Sequence, residues 1–71
     1  MIEFEIDSEF IPLISLLKAT GLVENGGEAQ AVVVEGLVSC NGEVELRKRF
    51  KVRPGTEVEF AGHTIKVISA D

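Results

Sequence analysis

Ile2, Phe4 and Ile6 alternate with Glu3, Glu5 and Asp7, and an apolar residue at every second position predicts a short first strand with one buried face. After Asp7 the period lengthens. Phe10, Leu13, Ile14 and Leu17 stand at i, i+3, i+4 and i+7, the spacing of an amphipathic helix. Asp7-Ser8 supplies its cap, Glu9 suits the positive end of its dipole, and Pro12 falls in or near the first turn, where a missing N–H matters least. The helix is expected to stop near Thr20-Gly21. Asn25-Gly26-Gly27 interrupts the pattern, and Ala29, Val32 and Val33 resume helical spacing up to Gly36. Val32-Val33-Val34 favours a strand taken alone, but Glu28-Ala29-Gln30-Ala31 before it and Gly36 after it predict a second helix of about ten residues.

Beyond Gly36 the period becomes two. Leu37 to Cys40 and Glu43 to Leu46 flank Asn41-Gly42, and a type I′ turn needs the positive φ at both central positions that Asn-Gly tolerates, so a hairpin is expected. Pro54-Gly55 marks another turn, and Val58 to Phe60, Ala61-Gly62-His63 and Thr64 to Ile68 read as a closing pair of strands. The elements add up to an α+β domain covering residues 1–71, with two short helices packed on a small, mostly antiparallel sheet.

At 71 residues there is room for one small core, burying about 60% of the surface of the unfolded chain. Hydrophobic residues at 45% and charged ones at 27% are a globular composition, and no apolar run approaches the roughly 18–20 residues of a membrane span. The acidic N-terminal stretch does not resemble a signal peptide. A single cysteine, Cys40, excludes an internal disulfide. A cytoplasmic monomer without membrane contact is expected.

Charge changes the picture most. Five of the seven basic residues lie in Arg47-Lys48-Arg49-Phe50-Lys51-Val52-Arg53, in a chain of net charge -5. Up to Leu46 there is only Lys18 against nine carboxylates, a net of -8, whereas from Arg47 onward the net is +3. Isolated surface ion pairs contribute only ~0–1 kcal/mol and do not account for such clustering, so the run is expected to face an anionic partner. An extended segment would align Arg47, Arg49, Lys51 and Arg53 on one side and turn Phe50, Val52 and Lys48 to the other. Glu43 and Glu45 share the parity of the cations and would partly neutralise the stripe.

Other chemistries find little support. Gly26-Gly27 ahead of a helix can offer free amides to a phosphate, although glycines there more commonly serve the turn itself; no Gly-Lys-Ser/Thr or dinucleotide fingerprint follows, so no cofactor is expected. Cys40 lacks a base in sequence reach, and it cannot complete a zinc site with the lone His63. Glu57 and Glu59 share a strand face, but nothing nearby would set their pKa values apart for acid–base work. An enzyme is not expected. Phe4, Phe10, Phe50 and Phe60 all occupy apolar positions of their elements, so no stacking platform for single-stranded bases is evident.

Particular residues carry a resemblance. Leu16-Leu17-Lys18-Ala19-Thr20-Gly21, Gly26-Gly27-Glu28-Ala29-Gln30, Glu35-Gly36-Leu37-Val38, Asn41-Gly42-Glu43-Val44-Glu45 and Arg47-Lys48-Arg49 followed by Gly55 and Gly62 resemble the RNA-binding domain first defined in ribosomal small-subunit protein four, the alpha-L motif. Nearly the whole chain takes part, and the likeness is greatest to stand-alone bacterial members, in which the domain is not joined to an enzyme. The resemblance implies non-catalytic binding of structured RNA, rRNA or tRNA, by Lys18, Asn25, Gly26, Gly27, Arg47, Lys48, Arg49, Lys51 and Arg53. Many RNA-gripping members carry Ser-Arg where this chain has Gly26-Gly27, so one basic contact is missing. The alternative is a protein-interaction module whose acidic half, with Glu24, Glu28 and Glu35, meets a basic partner such as a ribosomal or ribosome-associated protein.

Overall fold

The structure, a computed structural model, describes residues 1–70. Its elements are β1 (Ile2–Ile6), β2 (Ile11–Pro12), α1 (Leu13–Ala19), α2 (Gly26–Val34), β3 (Val38–Cys40), β4 (Glu43–Val44), β5 (Lys51–Val52), β6 (Glu57–Phe60) and β7 (His63–Ser69). Five strands form one sheet in the order β1-β7-β6-β3-β4, and β2 and β5 form a separate two-stranded ladder. Among the described residues only β1 and β7 run parallel; the remaining pairs are antiparallel. The expected architecture is therefore present: two helices on a mixed, mostly antiparallel sheet.

The first helix departs from expectation at its start. It begins at Leu13, with Pro12 at the N-cap in an extended conformation, because a proline ring disfavours helical φ/ψ in the residue before it and holds Ile11 extended. Asp7-Ser8 is consequently not its cap. Ser8 Oγ instead donates to the Phe10 carbonyl at 2.9 Å, bending the chain so that Ile11–Pro12 can pair with Lys51–Val52. The helical periodicity of Phe10 with Leu13, Ile14 and Leu17 is partly accidental. No side chain caps α1; its first N–H, from Leu13, donates to the Phe50 carbonyl at 2.9 Å. That bond satisfies an otherwise orphaned helix donor and ties the helix to the basic segment.

The second helix obeys its sequence signals. Asn25 Oδ1 accepts the Glu28 N–H at 2.8 Å, and the Glu28 carboxylate accepts the Glu24 N–H at 2.7 Å, a reciprocal arrangement close to a capping box. At the other end the Leu37 N–H reaches the Val32 carbonyl and the Gly36 N–H the Val33 carbonyl, with Gly36 at φ 77°. This Schellman stop needs a left-handed residue that glycine provides without strain, and it overrides the strand preference of Val32-Val33-Val34.

Leu13, Leu16 and Leu17 from α1, Ala29, Val32 and Val33 from α2, and Val38, Val58, Ile65 and Val67 from the sheet bury against one another. Cys40 lies in the same core. Val52 is fully buried and pins β5 to it. Since register places Cys40, Val58 and Ile65 on one row and Ser39, Glu59 and Thr64 on the next, the sheet has one face on the helices and one facing out.

Both hairpins turn in two residues at positive φ: Asn41 and Gly42 at 51° and 85°, Ala61 and Gly62 at 53° and 81°. Ala61 is the poorer choice, since a Cβ in the left-handed region costs about 1–2 kcal/mol and Asn tolerates that region better. Ala61→Asn is therefore expected to stabilise the fold by about 0.5–1 kcal/mol, raising Tm by about 2–8 °C in a thermal melt followed by circular dichroism.

Candidate nucleic-acid interface

The basic segment does not form the extended stripe that alternation suggests. Only Lys51 and Val52 are strand; Arg47 to Phe50 close a turn in which the Phe50 N–H donates to the Arg47 carbonyl at 3.2 Å. A run of this length cannot stay extended because β5 has just two residues of ladder available on β2. The turn changes which cations meet. Arg47, Lys48, Arg49, Lys51 and Arg53, with Phe50, line one open concavity of about 660 Å³. Lys48, expected to face away, is thus brought together with the other four.

All five cations are exposed, while Phe50 is half-buried and packs on the core. Two of them sit over rings: the Arg47 guanidinium 4.9 Å from the Phe50 centroid and Lys51 Nζ 5.0 Å from that of Phe10, within cation–π range. Phe10 thus supports the cationic loop instead of a helix face. Glu45 holds Arg47 with Oε2 at 2.9 Å from Nε and Oε1 at 3.0 Å from Nη2. The hydrogen bond from Arg47 depresses the carboxyl of Glu45 below its usual range and pushes the guanidinium higher still. The parity of Glu45 with Arg47 foreshadowed this neutralisation. Glu43 makes no such contact among the described residues. Lys48, Arg49 and Arg53 have no carboxylate or ring partner among the described residues.

The loop continues onto the helices. Lys48 and Arg49 border a shallow recess with Pro12, Ile14 and Gln30. One turn away, about 6 Å along the helix axis, Lys18 Nζ lies 4.0 Å from where a Cβ on Gly26 would stand. Ile14 with Lys18 and Gly26 with Gln30 are i, i+4 pairs, so a single face of the helix pair runs from the loop to Lys18 and Gly26. Asn25, by contrast, is committed to capping, and a Cβ on Gly27 would approach its Oδ1 to 3.3 Å. Gly26 and Gly27 are not a loop as the sequence suggested but the first two residues of α2, with the Glu28 carboxylate at the same helix start. Gln30 and Phe10 were not singled out by sequence; the i+4 spacing of Gln30 from Gly26 was its only signal.

Opposite lies a surface of the other sign. Glu3 and Glu57 flank Lys66 in register, with Lys66 Nζ 3.5 Å from Glu57, and Glu59 stands opposite Thr64. With Glu5, the outer sheet face carries four carboxylates against one ammonium. Burial pushes the Cys40 thiol up to about 11, with the Glu45 carboxylate adding to the shift, which leaves negligible thiolate for nucleophilic chemistry at neutral pH. His63 is exposed at the start of β7. Among the described residues no cluster of His, Cys, Asp and Glu can hold a metal ion, and no helix is long and apolar enough to cross a membrane.

Known proteins are similar to this chain in sequence and fold. YbcJ of Escherichia coli (strain K12) is 42% identical over 59 residues, spanning 83% of this chain and 84% of its own length, and YbcJ of Shigella flexneri matches to the same extent. The solution structure of the E. coli protein, described as revealing an alfaL motif involved in RNA-binding, superimposes with a TM-score of 0.74 at 39% identity, covering 96% of this chain and 87% of that one. Residues 4–68 match the S4 domain model, and the chain belongs to the S4 domain family.

Proposed function

We propose that this protein binds structured RNA, rRNA or tRNA, without catalysing a reaction on it, residues 1–71 acting as one domain and as a monomer in the cytoplasm. The convergence of Arg47, Lys48, Arg49, Lys51 and Arg53 on one concavity of an acidic protein carries this reading. Such a concavity concentrates positive potential where phosphates would lie, and the face shared by Ile14, Lys18, Gly26 and Gln30 extends the footprint along a second stretch of backbone. The carboxylates of the outer sheet face repel the same ligand, so RNA is confined to the loop and helix side. The alfaL motif of the E. coli relative, described as involved in RNA-binding, supports the assignment.

A second reading has one observation behind it. The outer sheet face is acidic and open, which suits a basic ribosomal or ribosome-associated protein; Glu28, committed to the start of α2, is less suited to that role. Cross-linking in cells separates the two: enriched rRNA or tRNA fragments support the first, and recovery of basic proteins without enriched RNA supports the second.

Salt dependence tests the charge assignment directly. Arg47 is neutralised by Glu45, leaving four cations in the loop and Lys18 on the helix face, so log K against log salt for a folded RNA hairpin should fall with a slope between about -3.5 and -4.5. Lys48→Ala, Arg49→Ala and Arg53→Ala combined should flatten it by about 2–2.7 while leaving Tm nearly unchanged, because exposed charges without partners contribute little to folding. A full slope in the triple variant would sink the assignment.

Gly26→Arg is the converse test. Gly26 does not have a positive φ, and its Cβ would meet only the flexible end of Lys18, so the side chain fits without backbone strain. It should steepen the slope by about 0.7–0.9 in the same titration.

A further inference from the structure

Charge alone does not explain how Arg47 is held. The Glu45 carboxylate grips the guanidinium at two points, 2.9 Å at Nε and 3.0 Å at Nη2, and its Oε2 also accepts the Arg47 backbone N–H at 3.0 Å. The guanidinium lies over the Phe50 ring at 4.9 Å from its centroid, and the side chain is still 73% exposed along the wall of the concavity. A guanidinium held along its Nε–Nη2 edge and neutralised on its own chain is a weaker phosphate contact than a free one. It is a good planar surface, because arginine is delocalised, flat and weakly hydrated. Lys48, Arg49, Lys51 and Arg53 surround it on the same concavity, whose volume of about 660 Å³ falls within the roughly 300–1,000 Å³ of small-ligand sites.

We propose that Arg47, locked by Glu45 over Phe50, is a stacking shelf for one unpaired RNA base, with the four remaining loop cations holding the phosphates on either side of it. Bases splayed from bulges and loops stack on arginine planes as well as on aromatic rings, whereas paired bases already have both faces covered. A bulged base also costs least to extrude. The shelf rests on the RNA-binding reading and adds to it a preference for a stem interrupted by an unpaired nucleotide.

The test uses two RNA hairpins with the same stem, one fully paired and one carrying a single bulged 2-aminopurine. The wild-type protein should bind the bulged hairpin about ten-fold more tightly, a typical gain for one stacked base, and quench its fluorescence. Arg47→Lys keeps a cation and loses the plane; its preference should fall to near one with its salt slope little changed. Glu45→Gln releases Arg47, so it should lose much of the preference and steepen the slope by about 0.7–0.9. Equal wild-type affinity for the two hairpins, or full bulge preference in Arg47→Lys, overturns the shelf and leaves RNA binding standing. An unaltered preference and slope in Glu45→Gln overturns the lock. Absence of salt-dependent binding to either hairpin removes the RNA reading and the shelf together.

Discussion

A two-residue ladder holds the cationic loop in place. Ile11 and Pro12 pair with Lys51 and Val52, Val52 is buried without residual exposure, and the first N–H of α1 donates to the Phe50 carbonyl. Five cations crowded into seven residues repel one another, and an untethered loop would spread them into solvent. Anchoring Val52 in the core sets that repulsion against apolar burial, worth about 1.5–3 kcal/mol for a side chain of this size. Because the helix donor is satisfied by the loop and the loop is anchored beside the helix, α1 and the concavity depend on each other.

The same economy appears in how charge is distributed. The loop carries cations with few partners, the outer sheet face carries carboxylates, and the helix layer and core separate the two. Exposed like charges gathered on one side destabilise a small domain slightly, yet they orient it toward an anionic ligand before contact. Glu45 tempers the field at one point only. Its pairing with Arg47 is present above the ordinary carboxylate range and is lost only as pH falls through the depressed pKa of the folded state, so the lock is intact at neutral pH.

The helix pair shows why boundaries are harder to read than cores. Leu13, Leu16, Leu17, Ala29, Val32 and Val33 all bury as periodicity requires, but the start of α1 moved because Pro12 holds the preceding residue extended and because β5 offered Ile11 a partner. That partner lies about forty positions away in sequence, beyond the reach of any local pattern. The Ala61-Gly62 turn was similarly only half visible, since alanine at positive φ carries no sequence signal.

Local chemistry in the sequence determined the strand of alternating residues, the presence of two helices, the Gly36 stop, the Asn41-Gly42 turn and the location of the charge. Each of these depends on contacts within a few residues, so composition and spacing suffice. Tertiary structure alone decided the shape of the basic segment. Alternation pointed to a flat stripe with Lys48 behind it; the short β2 ladder allowed only Lys51 and Val52 to stay extended, and the turn at Arg47 to Phe50 wrapped all five cations around one hollow. It also decided that Lys18 and Gly26 meet, through the packing of α1 on α2, and that Phe10 lies under Lys51, a pairing of segments far apart in sequence that no local window contains.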